Sequence, residues 1–119
     1  MHSRVEPRLE SGPLSWSPSR VGDAVVVYLA GELDMLTLPY FRRQLFGLVE
    51  SVVAGTVVLD LSELQFIGAS SVEVILSARK AADARGRVLS VAGLHGISAR
   101  VFEILGLDSL VCTSSRISG

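Results

Sequence analysis

Val57-Val58-Leu59-Asp60-Leu61-Ser62, followed by Phe66-Ile67-Gly68-Ala69-Ser70-Ser71, decides how this chain is read. The first segment is a β-branched, apolar run of the kind that packs as a buried strand. The second is a short loop that delivers two serines to the start of a helix. A helix N-terminus presents unpaired N–H groups and the positive end of the backbone dipole, which suits phosphate chemistry.

Working outward from this stretch, strand and helix signals alternate. Upstream, Leu14 to Arg20 reads as a weak strand with Leu14 and Trp16 on one face, and Val21-Gly22-Asp23 as a turn. Ala24 to Ala30 is a strong strand, central in a sheet, whose end carries Gly31-Glu32-Leu33-Asp34. A helix is predicted from Thr37 as N-cap, with Pro39 tolerated in its first turn. Leu38, Phe41, Leu45, Leu48, Val49 and Val52 form its apolar stripe, and Ala54-Gly55 closes it. Thr56 to Leu61 is apolar on both faces, as expected of a parallel strand covered by helices.

Beyond the two serines a second helix is predicted to about Arg85, with Ile75, Leu76, Ala78 and Ala82 facing inward and Gly86 as its stop. Val88 to Ala92 is a further strand. Ile97, Val101, Ile104 and Leu105 mark a third helix ended by Gly106, and Leu110-Val111-Cys112 a last short strand. Phe102 falls off that third stripe and is either an exposed contact or part of the core. The alternation predicts one α/β domain: a small parallel or mixed sheet of four to five strands packed against three to four helices. Residues 1–13 read as a flexible leader, 14–113 as the domain and 114–119 as a flexible tail.

Composition narrows the function classes. The 119 residues suffice for one core, and 49% are hydrophobic, so the chain is globular. Net charge is −1, and Arg42-Arg43 and Arg85-Gly86-Arg87 are isolated, which disfavours nucleic-acid binding. Cys112 is the single cysteine, so an intramolecular disulfide is excluded and a reducing compartment fits. No apolar run is long enough to span a bilayer, and the leader lacks the apolar core of a signal peptide. A cytoplasmic protein is expected. His2 and His95 do not make a metal site.

Several chemistries compete for the serines. Ser70-Ser71-Val72-Glu73 has the form of a capping box, in which Ser70 only starts a helix. Gly68-Ala69-Ser70-Ser71-Val72 half resembles a nucleophile elbow, with Asp83 and His95 following in order. Its second glycine is replaced by Val72, however, and Asp83 belongs to the helix that Ser70 starts. No glycine-rich phosphate loop with a lysine occurs. Glu32 and Asp34 offer acid–base catalysis no visible partner; otherwise they form a solvated strand end, with Asp34 starting a turn.

The combined pattern resembles the STAS domains of bacterial anti-sigma factor antagonists. Gly31-Glu32-Leu33-Asp34 with Thr37-Leu38-Pro39, Asp60-Leu61-Ser62-Glu63-Leu64-Gln65-Phe66-Ile67, Val88 to Gly93, and Val101 to Asp108 match that family in order and spacing. The resemblance implies a non-enzymatic regulator without a cofactor, which binds a kinase-fold anti-sigma factor of the histidine-kinase-like ATPase type and so releases a sigma factor. It further implies control by phosphorylation of a serine at the second helix start, reversed by a metal-dependent serine/threonine phosphatase. That acceptor falls on Ser70, with Ser71 as the alternative. The implied partner-binding face comprises Asp34, Gly68, Ala69, Ser70, Ser71 and Glu73, with Asp34 near the serines because parallel neighbours end on the same side.

The loop departs from the family in three places: Gly68 stands at an aspartate, Ala69 at a serine and Ser71 at a glycine. Glu73 replaces a small residue and would repel a phosphate on Ser70. These departures leave a second reading open, a STAS scaffold or assembly subunit of a transporter or sensory complex that is never phosphorylated.

Overall fold

A computed structural model of the chain describes residues 14–51, 55–96, 99–100 and 102. Its elements are β1 (Leu14–Val21), β2 (Ala24–Leu33), α1 (Leu38–Ser51), β3 (Thr56–Ile67), α2 (Ala69–Ala84) and β4 (Val88–Ala92). The leader 1–13, Val52, Ala54, the third-helix stripe Ile97, Val101, Ile104 and Leu105 with Gly106, the strand Leu110–Cys112 and the tail 114–119 lie outside the described residues. So does the fifth strand; among the described residues two helices of eight or more residues pack on four strands, with helical turns at 99–100 and 102.

The sheet order is β1-β2-β3-β4. β1 and β2 form an antiparallel hairpin closed at Gly22-Asp23, whereas β2, β3 and β4 run parallel. Crossovers between parallel strands are right-handed as a rule, so two that advance in one direction put α1 and α2 on the same face. That face holds the core: Val25, Val27 and Leu29 of β2, and Val57, Leu59 and Leu61 of β3 meet Phe41, Leu45 and Val49 of α1 and Val72, Ile75 and Ala78 of α2. Trp16 reaches it from β1 and meets the Phe41 ring edge-on at 6.1 Å between centroids. Phe102 is buried in the same core, which resolves its two readings in favour of packing.

Two sequence expectations need correction here. β3 is covered by helices on one face only: Val58 is half-buried, and Tyr28 and Val88 on the opposite face are 46% and 54% exposed. β3 also does not end at Leu61. It continues to Ile67, with irregularities that give it one extra residue between the Tyr28 and Ala30 pairings and another between those of Gly31 and Glu32. Bulges of this kind break the period-two pattern, which is why Ser62 to Phe66 resembles loop when read by alternation.

The first irregularity explains Asp60 and Ser62. The Asp60 carboxylate Oδ1 accepts from the Ser62 amide at 2.9 Å and from its hydroxyl at 2.6 Å, so the side chain supplies an acceptor where the ladder is interrupted. Gly93 packs against this turn; a Cβ there would lie 2.8 Å from the Ser62 nitrogen, and its φ of +76° is one that glycine alone adopts without strain. At the other end of α2, the Arg87 amide donates to Ala82 and the Gly86 amide to Asp83, a Schellman closure with Gly86 at φ +70°. Arg87 then donates its guanidinium Nη1 to the Val49 carbonyl, covering one of the orphan acceptors at the end of α1.

Candidate functional site

β2 and β3 are parallel, so the segments that follow them emerge at the same end of the sheet. Leu33 is the joint. Its carbonyl accepts from the Gly68 amide at 2.9 Å and from the Ser71 hydroxyl at 3.4 Å, which ties the start of α2 to the end of β2. Asp34, Met35, Phe66, Gly68, Ala69, Ser70 and Ser71 line one hollow of about 290 Å³. The proximity of Asp34 to the serines, expected from strand direction, is thus present.

The segment before α1 is held by its own side chains. Asp34 Oδ1 accepts from the amides of Leu36 at 3.0 Å and Thr37 at 3.1 Å, and the Leu38 amide donates to the Asp34 carbonyl. The buried Thr37 hydroxyl accepts from the Asp34 amide at 3.0 Å and donates to the Glu32 carbonyl at 2.9 Å. Thr37 therefore does not cap α1 forward, as the sequence suggests; its hydroxyl faces back and closes the turn. Asp34 starts that turn.

The start of α2 is built differently. Its N-cap is Gly68, at φ −90° and ψ 162°, with no side-chain capping bond. The capping box of Ser70 and Glu73 does not form, because the helix begins at Ala69, one position before Ser70. Ser70 and Ala69 are exposed, Gly68 is half-buried, Glu73 is exposed and Ser71 is buried at 1%. The two adjacent hydroxyls thus have opposite fates: Ser71 faces the Leu33 carbonyl, and Ser70 faces solvent with no side-chain hydrogen bond among the described residues. Gly68 is not required by the backbone, since a Cβ there meets Leu33 O and the Phe66 ring at an ordinary 3.6 Å.

Neither catalytic constellation is assembled. Asp83 sits near the opposite end of α2, roughly 20 Å from Ser70 by helical rise. Asp34 holds backbone amides, and among the described residues no group of three or more His, Cys, Asp or Glu side chains is placed to hold a metal ion. No helix among the described residues is long and apolar enough to cross a membrane.

The structure adds residues that periodicity passes over. Met35 is 74% exposed, Leu36 81% and Phe66 45%. Met35 and Phe66 line the hollow beside the serines. Met35 and Leu36 lie in the turn between β2 and α1, outside any strand face or helix stripe, and Phe66 lies in the irregular end of β3. Arg42, on the exposed side of α1, lines a second hollow together with Ser70 and Glu73.

Comparison with known proteins agrees with this architecture. The STAS domain family model matches residues 16–118. The anti-sigma-B factor antagonist of Listeria monocytogenes is 31% identical over 90 residues, which is 75% of this chain and 77% of that protein. The solved anti-sigma factor antagonist SpoIIAA in its unphosphorylated form superposes with a TM-score of 0.73 at 20% identity, covering 87% of this chain and 92% of that one. The Bacillus cell fate determinant SpoIIAA in its phosphorylated form gives 0.66 at 20% identity over 87% and 96%. The two superpositions speak for the fold; the Listeria relative and the family model speak for descent.

Proposed function

This chain belongs to the STAS-domain family of anti-sigma factor antagonists, and we propose that it acts by docking the Ser70 end of its sheet onto a kinase-fold anti-sigma factor. Docking frees the sigma factor. The observation that carries this reading is the exposed apolar pair Met35 and Phe66 lining one hollow with an exposed Ser70, with Leu36 exposed next to Met35 in the chain. Burying apolar area against a partner is the main favourable term in such an association, and small loop residues such as Gly68 and Ala69 permit close approach.

Ser70 is the acceptor in this reading. Ser71 is unsuited, because its hydroxyl is buried against the Leu33 carbonyl and phosphorylation would have to open the joint between the two loops. SpoIIAA, with which the chain shares its fold, is known in unphosphorylated and phosphorylated forms. A phosphate on Ser70 brings nearly two negative charges into a contact that must be desolvated, so it opposes binding. The partner's kinase activity supplies the phosphate, and a metal-dependent serine/threonine phosphatase removes it. The chain itself contributes a surface, not catalysis, and works in the cytoplasm.

Incubation with the kinase-fold anti-sigma factors of the same genome and ATP, followed by mass spectrometry, tests this. The expected result is phosphate on Ser70, binding retained in Ser70→Ala and lost in Ser70→Asp. Binding without phosphate transfer would instead make the chain an unregulated binder of the anti-sigma factor. No binding to any such partner would overturn the reading.

A further inference from the structure

Ser70 stands on a ridge between two hollows of different chemistry. On one side lies the hollow with Met35, Phe66, Gly68 and Ala69, dominated by carbon. On the other, about 330 Å³ is lined by Leu38, Arg42, Ser70, Glu73, Val74 and Ser77. Arg42 is the cation of this second hollow and Glu73 its anion. We propose that Arg42 is the receptor for a phosphoryl group on Ser70: the modified side chain turns toward α1 and is held by the Arg42 guanidinium. The inference rests on the reading that Ser70 is phosphorylated, and it adds where the phosphate goes.

The charges around Ser70 leave one direction open. Asp34 faces it from the turn after β2 and Glu73 from α2 itself, and both carboxylates repel a phosphate. The Asp34 carboxylate is moreover engaged by the Leu36 and Thr37 amides. Only α1 offers a cation, among the described residues lining the two hollows. A guanidinium presents paired N–H donors that match two phosphate oxygens at once, which a point-charge ammonium does not. Arg42 is available for this: its guanidinium lies 5.2 Å from the Phe46 ring centroid, and such a contact is weak where it is exposed.

This arrangement also gives a role to Glu73, which lines the same hollow as the acceptor. Without phosphate, Arg42 and Glu73 leave the hollow close to neutral. With it, Arg42 leaves the Phe46 ring for the phosphate and Glu73 becomes the repelled group. The apolar hollow keeps its shape, and the mark is displayed on the α1 side of the ridge.

The test uses the full chain with phosphoserine installed at position 70 during translation, so that no kinase is needed. The second ionisation of the phosphate is followed by phosphorus NMR. It is expected below the ordinary value of about 6. Arg42→Ala should raise it by roughly half a pH unit, Arg42→Lys should restore part of the shift, and Glu73→Gln should lower it further. A second readout is the Arg42 Nε proton, which should move downfield on phosphorylation and stay in place in Ser70→Ala. A titration unchanged in Arg42→Ala, with an unmoved Nε proton, would overturn the role of Arg42 and leave the switch intact. Conversely, failure of every anti-sigma factor to phosphorylate Ser70 would remove the switch while this titration kept its meaning.

Discussion

The turn at Asp34–Thr37 and the turn at Gly68–Ser71 sit side by side at one end of the sheet, joined through the carbonyl of Leu33. They use their polar groups in opposite ways. In the first, the Asp34 carboxylate and the Thr37 hydroxyl are consumed by neighbouring backbone groups. In the second, the N-cap is a glycine without a side chain and the Ser70 hydroxyl makes no side-chain bond among the described residues. A self-satisfied turn is a scaffold; an unsatisfied one is available to a partner. The difference marks Asp34 as architecture and leaves Ser70 free for the recognition role proposed above, although both border the same hollow.

Substitutions can break or sharpen that contrast. The largest effect is expected from Ser70→Asp, which should weaken binding of the anti-sigma partner about 100-fold, equivalent to about 2.7 kcal/mol, in isothermal titration. Its unfolding free energy should stay within about 0.5 kcal/mol of the parent, as for an exposed site. A binding loss matched by a stability loss would erase the distinction between the turns.

Next comes Thr37→Val, which keeps the shape and removes the hydroxyl. It strands the Asp34 amide and the Glu32 carbonyl, and about 2 kcal/mol of stability should be lost in urea denaturation. Asp34→Ala should cost about 1 kcal/mol, because only partly buried amides lose their acceptor. Unchanged stability together with a large loss of partner binding would move Asp34 from scaffold to recognition. The smallest effect belongs to Gly68→Asp. The N-cap backbone is already extended and a Cβ meets ordinary contacts, so a carboxylate there should cap α2 and raise stability by a few tenths of a kcal/mol. A measurable loss of stability instead would show that the second turn does depend on its glycine.

Much of this was legible in one dimension. The β-branched run at Val25 to Leu29, the α1 stripe of Phe41, Leu45 and Val49, and Gly86 as a helix stop follow from periodicity and local backbone chemistry, which neighbours in sequence control. Ser62 to Phe66 was not legible as strand, because the irregular pairing that accommodates its extra residues depends on β2. The capping roles were misplaced for a related reason. Thr37 and Ser70 are residue types that cap helices, but a hydroxyl satisfies whichever backbone group the fold brings near. For Thr37 that group is Glu32 O, behind it in the chain.

The sequence by itself determined the alternation of strand and helix, the parallel end at which Asp34 and the serines meet, and the family to which their motifs belong. These rest on spacing, and spacing is a property of the chain. Only the tertiary structure separated Ser70 from Ser71, brought Met35 and Phe66 to one hollow, and brought Arg42 and Glu73 to another. Burial and charge neighbourhood are sums over elements far apart in sequence, so no window along the chain contains them. The chain spells out which serines begin the helix; packing against Leu33 decides which of them is exposed.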